Sequence, residues 1–259
     1  MSEFLNLQLQ RYLYFTINLE LLVVNPNLLR LAKQSRTLNL TDDENLAVHK
    51  MYIDEGFHAL FCVDLVQQVE VMTNIKPKFK SEPSFMRKLK LMNNMANDEF
   101  ISGILFTCVA ETLITSNLTD VTRQGDTPIS VRHVMQDHAR DEARHHAFFK
   151  AFIRKIYREN PLSLRNVLHL VPYSIMAFIE PDREHLRLGM MQVGVSRADA
   201  EQIIADTYPT EMIEEYARYC SRDLIRILQE EEITGDLPLD DALYEYNLIL
   251  PKEMERSFA

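Results

Sequence analysis

The chain has 259 residues, a formal net charge of -10, and no tryptophan. That length can bury one sizeable core, and no linker-like stretch divides it, so a single domain over 1–259 is expected. The acidic balance argues against nucleic acid or an anionic membrane surface as a partner, and no uninterrupted apolar run is long enough for a membrane span.

Only 6 glycines, beside abundant Leu, Met, Ala and Glu, point to helix throughout. A first helix is predicted over about 3–24, ending at Asn25-Pro26, where proline removes a backbone donor. A short helix reaches about Gln34. Thr41 and Glu44 have the spacing of a capping box and open a second long helix, about 42–71. Pro83 stands in the first turn of a third, about 82–117. Thr127 and Pro128 mark the cap and first position of a fourth, about 128–159. After Asn160-Pro161 come shorter helices within 162–232: Leu162 to Ile179, Asp182 to Gln192, Ala198 to Thr207 capped by Ser196, and Glu211 to Glu232. The tail from Gly235 is expected to be irregular or packed across the bundle. The fold class is all-α: a four-helix bundle with additional C-terminal helices.

Each of the four long helices carries ionisable residues in its apolar pattern. The first has Glu20 within an otherwise apolar run, and the third has Glu111 in Phe106-Thr107-Cys108-Val109-Ala110-Glu111. A lone carboxylate in such a run is costly unless it is protonated, paired or bound to a cation. The second and fourth each hold Glu-x-x-His: Glu55 with His58, and Glu142 with His145. Residues three apart share a helix face, so each pair can grip one ion. His138, four residues before Glu142, joins that face. Two single-Glu helices plus two Glu-x-x-His helices match a ferritin-like dimetal carboxylate site. Oxygen-rich coordination with a few imidazoles suits iron or manganese rather than zinc. Asp54 and Asp141 precede the motif glutamates. Each is expected to accept a hydrogen bond from an imidazole of the opposite helix. His49, His133 and His146 read as non-ligands.

The order Glu, Glu-x-x-His, Glu, His-x-x-x-Glu-x-x-His resembles the diiron arylamine N-oxygenase family, typified by the p-aminobenzoate N-oxygenase of aureothin biosynthesis. The resemblance rests also on 35 residues between Glu20 and Glu55, 27 between Glu111 and His138, and the additional imidazole of His138. It implies two iron ions held by all seven residues. Glu20 and His58 would serve one iron, Glu111, His138 and His145 the other, with Glu55 and Glu142 between them. It further implies that the reduced pair reacts with O2 to a peroxo-diferric species that oxidises an amine to hydroxylamine, nitroso or nitro products. The electrons would come from an external electron-donor protein or reductant. The family holds an acidic substrate through an arginine of a late helix. Arg218 and Arg222 are the candidates, with Tyr12, two turns before Glu20, as a further pocket residue. Family members usually carry a longer segment before the first ligand helix.

Other readings share the same residues: C–H hydroxylation or oxidative cleavage at the same metals, and ferroxidase or iron-handling activity. Three widely spaced cysteines, Cys62, Cys108 and Cys220, are not a disulfide framework, and no secretion signal opens the chain. The expected compartment is the cytoplasm. A homodimer is the base-rate expectation for the assembly.

Overall fold

In a computed structural model the chain is described over residues 2–78, 82–96, 99–123, 128–159, 161–231, 233 and 237–250. The architecture is an all-α, ferritin-like bundle, with no strand among the described residues. The first helix, α1 (Glu3–Leu19), starts at Ser2, whose hydroxyl accepts the amide of Leu5. It does not stop at Pro26. A π turn, Glu20–Val24, joins it to α2 (Asn25–Lys33), and the amide of Asn25 reaches back to the carbonyl of Glu20. Proline breaks an α-helix by losing a donor and crowding the preceding turn. The wider π turn immediately before Pro26 absorbs both effects, so the rod continues.

The Thr41–Glu44 capping box is present. Glu44 donates its amide to the Thr41 hydroxyl at 3.2 Å, and Thr41 donates its own to the Glu44 carboxylate at 2.7 Å. It opens α3 (Asp42–Thr73), which ends at Asn74 in the left-handed region (φ 54). The third long helix is interrupted. Helix α4 (Ser84–Met95) ends where Ala96 turns extended, and α5 (Glu99–Arg123) begins three residues later. Across the junction the Ser102 hydroxyl of α5 donates to the side-chain oxygen of Asn93, in the last turn of α4, at 2.9 Å. The fourth long helix is α6 (Ile129–Glu159). Its expected cap Thr127, and the breaker Asn160, lie outside the described residues.

The expected helix from Leu162 to Ile179 is two helices, α7 (Pro161–Leu168) and α8 (Val171–Ile179), because Pro172 fits only a helix's first turn. Then come α9 (Arg183–Gln192), α10 (Arg197–Thr207), capped by Ser196, and α11 (Thr210–Glu230). The tail is not irregular throughout: α12 (Leu237–Glu245) packs on α8 and buries Leu239 and Leu243.

Four rods make the bundle. The α1–π–α2 rod packs on α3, α5 packs on α6, and α3 meets α6. Asn27 of α2 ties the remaining side, donating its side-chain amide to the Gly103 carbonyl (3.0 Å) and the Thr107 hydroxyl (2.9 Å) of α5. One apolar core runs through the bundle and on to α8 and α11, with Phe85, Phe106 and Phe149 among its largest members. A smaller cluster pins α9 and α10 to Phe4 of α1. No helix among the described residues is long and apolar enough to cross a membrane.

Candidate metal centre

The bundle brings Glu20, Glu55, His58, Glu111, His138, Glu142 and His145 together, each at most 3% exposed. The π turn presents Glu20, α3 Glu55 and His58, α5 Glu111, and α6 His138, Glu142 and His145. Ligand atoms of Glu20, Glu55, His58, His138 and Glu142 fall within 4.8 Å of one another, as do those of Glu55, Glu111, Glu142 and His145. Two overlapping positions result, with Glu55 and Glu142 common to both.

The resemblance would put His138 with Glu111 and His145, whereas the side chain lies with the other group here. Its Nε2 is 3.0 Å from Glu142 Oε1 and 3.8 Å from Glu20 Oε1, and its ring lies 3.8 Å, centroid to centroid, from that of His58. His138 therefore belongs with Glu20 and His58. His145, two turns further along the same face of α6, instead faces Glu55 and Glu111.

His58 and His145 are mounted as mirror cases. His58 Nδ1 faces inward, 2.9 Å from Glu55 and 3.4 Å from Glu142, and its Nε2 is 3.3 Å from Asp141 on α6. His145 Nδ1 faces inward, 2.7 Å from Glu55 and 3.5 Å from both Glu111 and Glu142, and its Nε2 is 3.3 Å from Asp54 on α3. Each aspartate thus meets the outer nitrogen of the opposite helix's imidazole, fixing the ring and leaving Nδ1 as the inward donor. Arg144, which the sequence reading passed over, pairs with Asp141 and lies 3.9 Å from Asp54. Its i,i+3 spacing from Asp141 was the available signal. The outer nitrogen of His138 has no hydrogen-bond partner among the described residues.

The donor set fits two cations. Both carboxylate oxygens of Glu20 and of Glu111, one oxygen each of Glu55 and Glu142, and Nδ1 of His145 are buried without a hydrogen-bond partner. Buried polar groups are ordinarily satisfied, and a converging set of orphans is what cations would satisfy. Protons stand in for cations in the metal-free arrangement. Burial, then the charges of Glu55, Glu142 and Glu111, pushes Glu20 well above the usual carboxylate range. Burial, then Glu142 and Glu55, does the same to Glu111. Burial also acts to raise Glu55 and Glu142, but the imidazoles outweigh it and hold both low. Burial disfavours the imidazolium of His58 and His145, yet the surrounding carboxylates raise both.

The other expected residues part company. Tyr12 lines a cavity of about 340 Å³ with Arg11, Phe15, Phe85, Phe178 and Tyr216. Burial, then the neighbouring Cys62 and Glu20, pushes its phenol up. Arg218 and Arg222 do not approach the cluster. They line a separate groove between α11 and the segment after α12, where Arg218 donates to the Asn247 carbonyl at 2.7 Å and Arg222 lies over Tyr219. The cation lining the Tyr12 cavity is Arg11, one residue earlier on α1, whose pKa burial lowers. It was not singled out from sequence because one arginine among the polar positions of an amphipathic helix carries no signal.

No curated protein matches the chain. A family model described as P-aminobenzoate N-oxygenase AurF matches residues 2–231.

Proposed function

Because the chain belongs to the p-aminobenzoate N-oxygenase family, a family of diiron monooxygenases, we propose that it transfers oxygen from O2 to the amine nitrogen of a small molecule, giving a hydroxylamine, nitroso or nitro product. The observation that carries this reading is the convergence of seven buried side chains, with both oxygens of Glu20 and of Glu111, one each of Glu55 and Glu142, and Nδ1 of His145 left without a hydrogen-bond partner. Glu20, His58 and His138 would hold one iron and Glu111 and His145 the other, with Glu55 and Glu142 within reach of both. Bound there, a ferrous pair supplies the electrons that activate O2 and must be re-reduced by an external donor.

The chain's own groups do the rest. Four carboxylates offset the charge of two dications in a dry core. Asp54 and Asp141 orient His145 and His58 through their outer nitrogens. Leu19, Val109, Ala110 and Leu113, all buried, keep bulk water away. The substrate enters by the aromatic cavity beside Tyr12. Cys62, Cys108 and Cys220 are buried cysteines outside any disulfide, which fits a reducing, cytoplasmic setting and a biosynthetic oxidation carried out there.

The test mixes anaerobic, iron(II)-loaded protein with O2 in a stopped-flow spectrometer, with and without an arylamine, and analyses products by mass spectrometry under 18O2. A visible absorption band that decays faster with the amine, and 18O on nitrogen, are expected. Rapid formation of a featureless ferric product, with more than two irons oxidised per chain, would replace this reading with iron oxidation.

A further inference from the structure

The seam between α5 and α6 holds a void with no polar surface. Ile104, Leu105 and Cys108 of α5, Phe152 and Ile156 of α6 and Leu164 of α7 line it, and none of them is more than 5% exposed. The centre of a water-sized molecule has about 10 Å³ there, which is room for one. Water is a poor occupant, because a buried water needs several polar partners and these walls are hydrocarbon and one thiol. That thiol is neutral: burial, then the charge of Glu111, pushes the pKa of Cys108 up. An organic amine is too large. What fits is a small apolar molecule.

The void is in line with the metal centre. On α5, Ile104, Cys108 and Glu111 follow one another at steps of four and three. On α6, His145, Phe149, Phe152 and Ile156 do so at steps of four, three and four. Such spacing keeps each set on one helix face. The two faces meet, since α5 packs on α6, and at one end Glu111 Oε2 lies 3.5 Å from His145 Nδ1. Ile104 and Phe152 of the void each stand seven residues from that pair, about 10 Å along the axis. On these stripes only Cys108 and Phe149 come between, and Cys108 is the smallest side chain of the lining. The cavity beside Tyr12 is of another kind. It is larger, about 340 Å³, has Arg11 and Asp182 in its walls, and takes none of its described lining from α5 or α6.

We infer that the void is a holding site for O2, and that O2 reaches the metal pair along the α5–α6 seam, past Cys108, at the Glu111–His145 position. Dissolved O2 is apolar, and transfer from water into an apolar space favours it. The amine, entering beside Tyr12, then does not share its entrance. Entry by this route presupposes an iron pair that consumes O2, as proposed above, and not the fate of the oxygen.

Xenon, an apolar atom that fills spaces of this kind, is the probe for the site. Crystals of the full, iron-loaded chain pressurised with xenon should hold it between Cys108, Phe152 and Leu164. The rate is read by stopped-flow mixing of the anaerobic, iron(II)-loaded chain with O2 across a concentration series, without amine. Ile156→Phe and Leu164→Phe fill the void from the side away from the ligands. Both should lose the xenon and slow the second-order oxidation of the iron several-fold, at unchanged iron content. Ile104→Ala widens the void without overpacking it, so it keeps the test open should the larger side chains prevent folding. It should raise xenon occupancy and speed the oxidation. A wild type with no xenon at this position would overturn the inference, as would an oxidation rate that none of the three substitutions alters. Xenon is read without any reaction and the oxidation rate without any amine. A lack of 18O on nitrogen would therefore sink N-oxygenation and leave this route standing.

Discussion

Asp141 touches no inward-facing carboxylate, yet it sets which nitrogen of His58 faces the metal positions. Replacing it with Asn keeps the shape and removes the charge that polarises the ring. Asp141→Asn should weaken iron binding by about 10–100-fold without abolishing it, as an iron(II) titration would read directly. Arg144 pairs with Asp141 and approaches Asp54, so Arg144→Met should act in the same direction and less strongly. His138→Ala removes one imidazole from the position that Glu20 and His58 share. It should retain iron at the Glu111–His145 position while changing the reaction with O2, which metal analysis and stopped-flow absorption separate. The seven residues were legible in the sequence because a carboxylate inside an apolar helical run is costly unless a cation or a proton meets it. Their division into two groups was not legible: the resemblance set it, and the packing of α6 against the π turn and α3 is what lays His138 beside Glu20 and His58. Arg11 and Arg144 were not legible: an arginine on a polar helix face acquires meaning only from what packs against it.

At the scale of elements, the tie between α2 and α5 decides where Glu20 stands relative to Glu111. Gly103 has no side chain because Asn27 occupies the space; an added Cβ would lie 2.8 Å from the Asn27 amide oxygen. Gly103→Ala should therefore displace a buried amide with two hydrogen bonds. The overpacking should cost about 1–3 kcal/mol despite alanine's better helix propensity, measurable as a lowered midpoint in urea. Most helix boundaries were legible from caps and prolines. The exceptions have local causes. Pro26 reads as a stop only if every turn before it is α, and sequence does not announce a π turn. The third helix was expected to run unbroken over about 82–117, and neither a proline nor a glycine marks the point near Ala96 where it is interrupted. Leu239 and Leu243 of α12 belong to a helix that exists because α8 covers it, information carried by tertiary contact rather than by propensity.

For the whole molecule, the metal centre couples stability to pH. In the metal-free protein Glu20, Glu111, His58 and His145 all have raised pKa values. A raised folded-state pKa favours folding while the proton is on, and that contribution is lost as pH climbs through the folded value. Glu55 and Glu142 are held low and act oppositely, losing their contribution only on acidification. Metal-free protein should accordingly lose thermal stability as pH rises above the ordinary carboxylate and imidazole ranges. Iron-loaded protein should not, because cations replace the protons. Calorimetry with and without chelator reads both, and chelation should lower Tm at every pH tested above neutrality. A Tm of the chelated protein that is flat or rising across that range would contradict the protonation pattern.

The π turn at Glu20 has a consequence beyond letting the helix pass Pro26. It divides the first rod into two halves that are indexed separately. The half before it carries Arg11 and Tyr12 against the cavity, and the half after it is locked to α5 through Asn27. The π turn takes one residue more than an ordinary turn and absorbs it on the spot. One residue deleted from Leu21–Val24 would restore an ordinary turn and leave both halves facing as they do, with Arg11 and Tyr12 still on the cavity and Asn27 still on α5. What such a loss would change is the widened turn that carries Glu20, so this joint resets the first carboxylate of the cluster independently of the cavity wall and of the tie to α5.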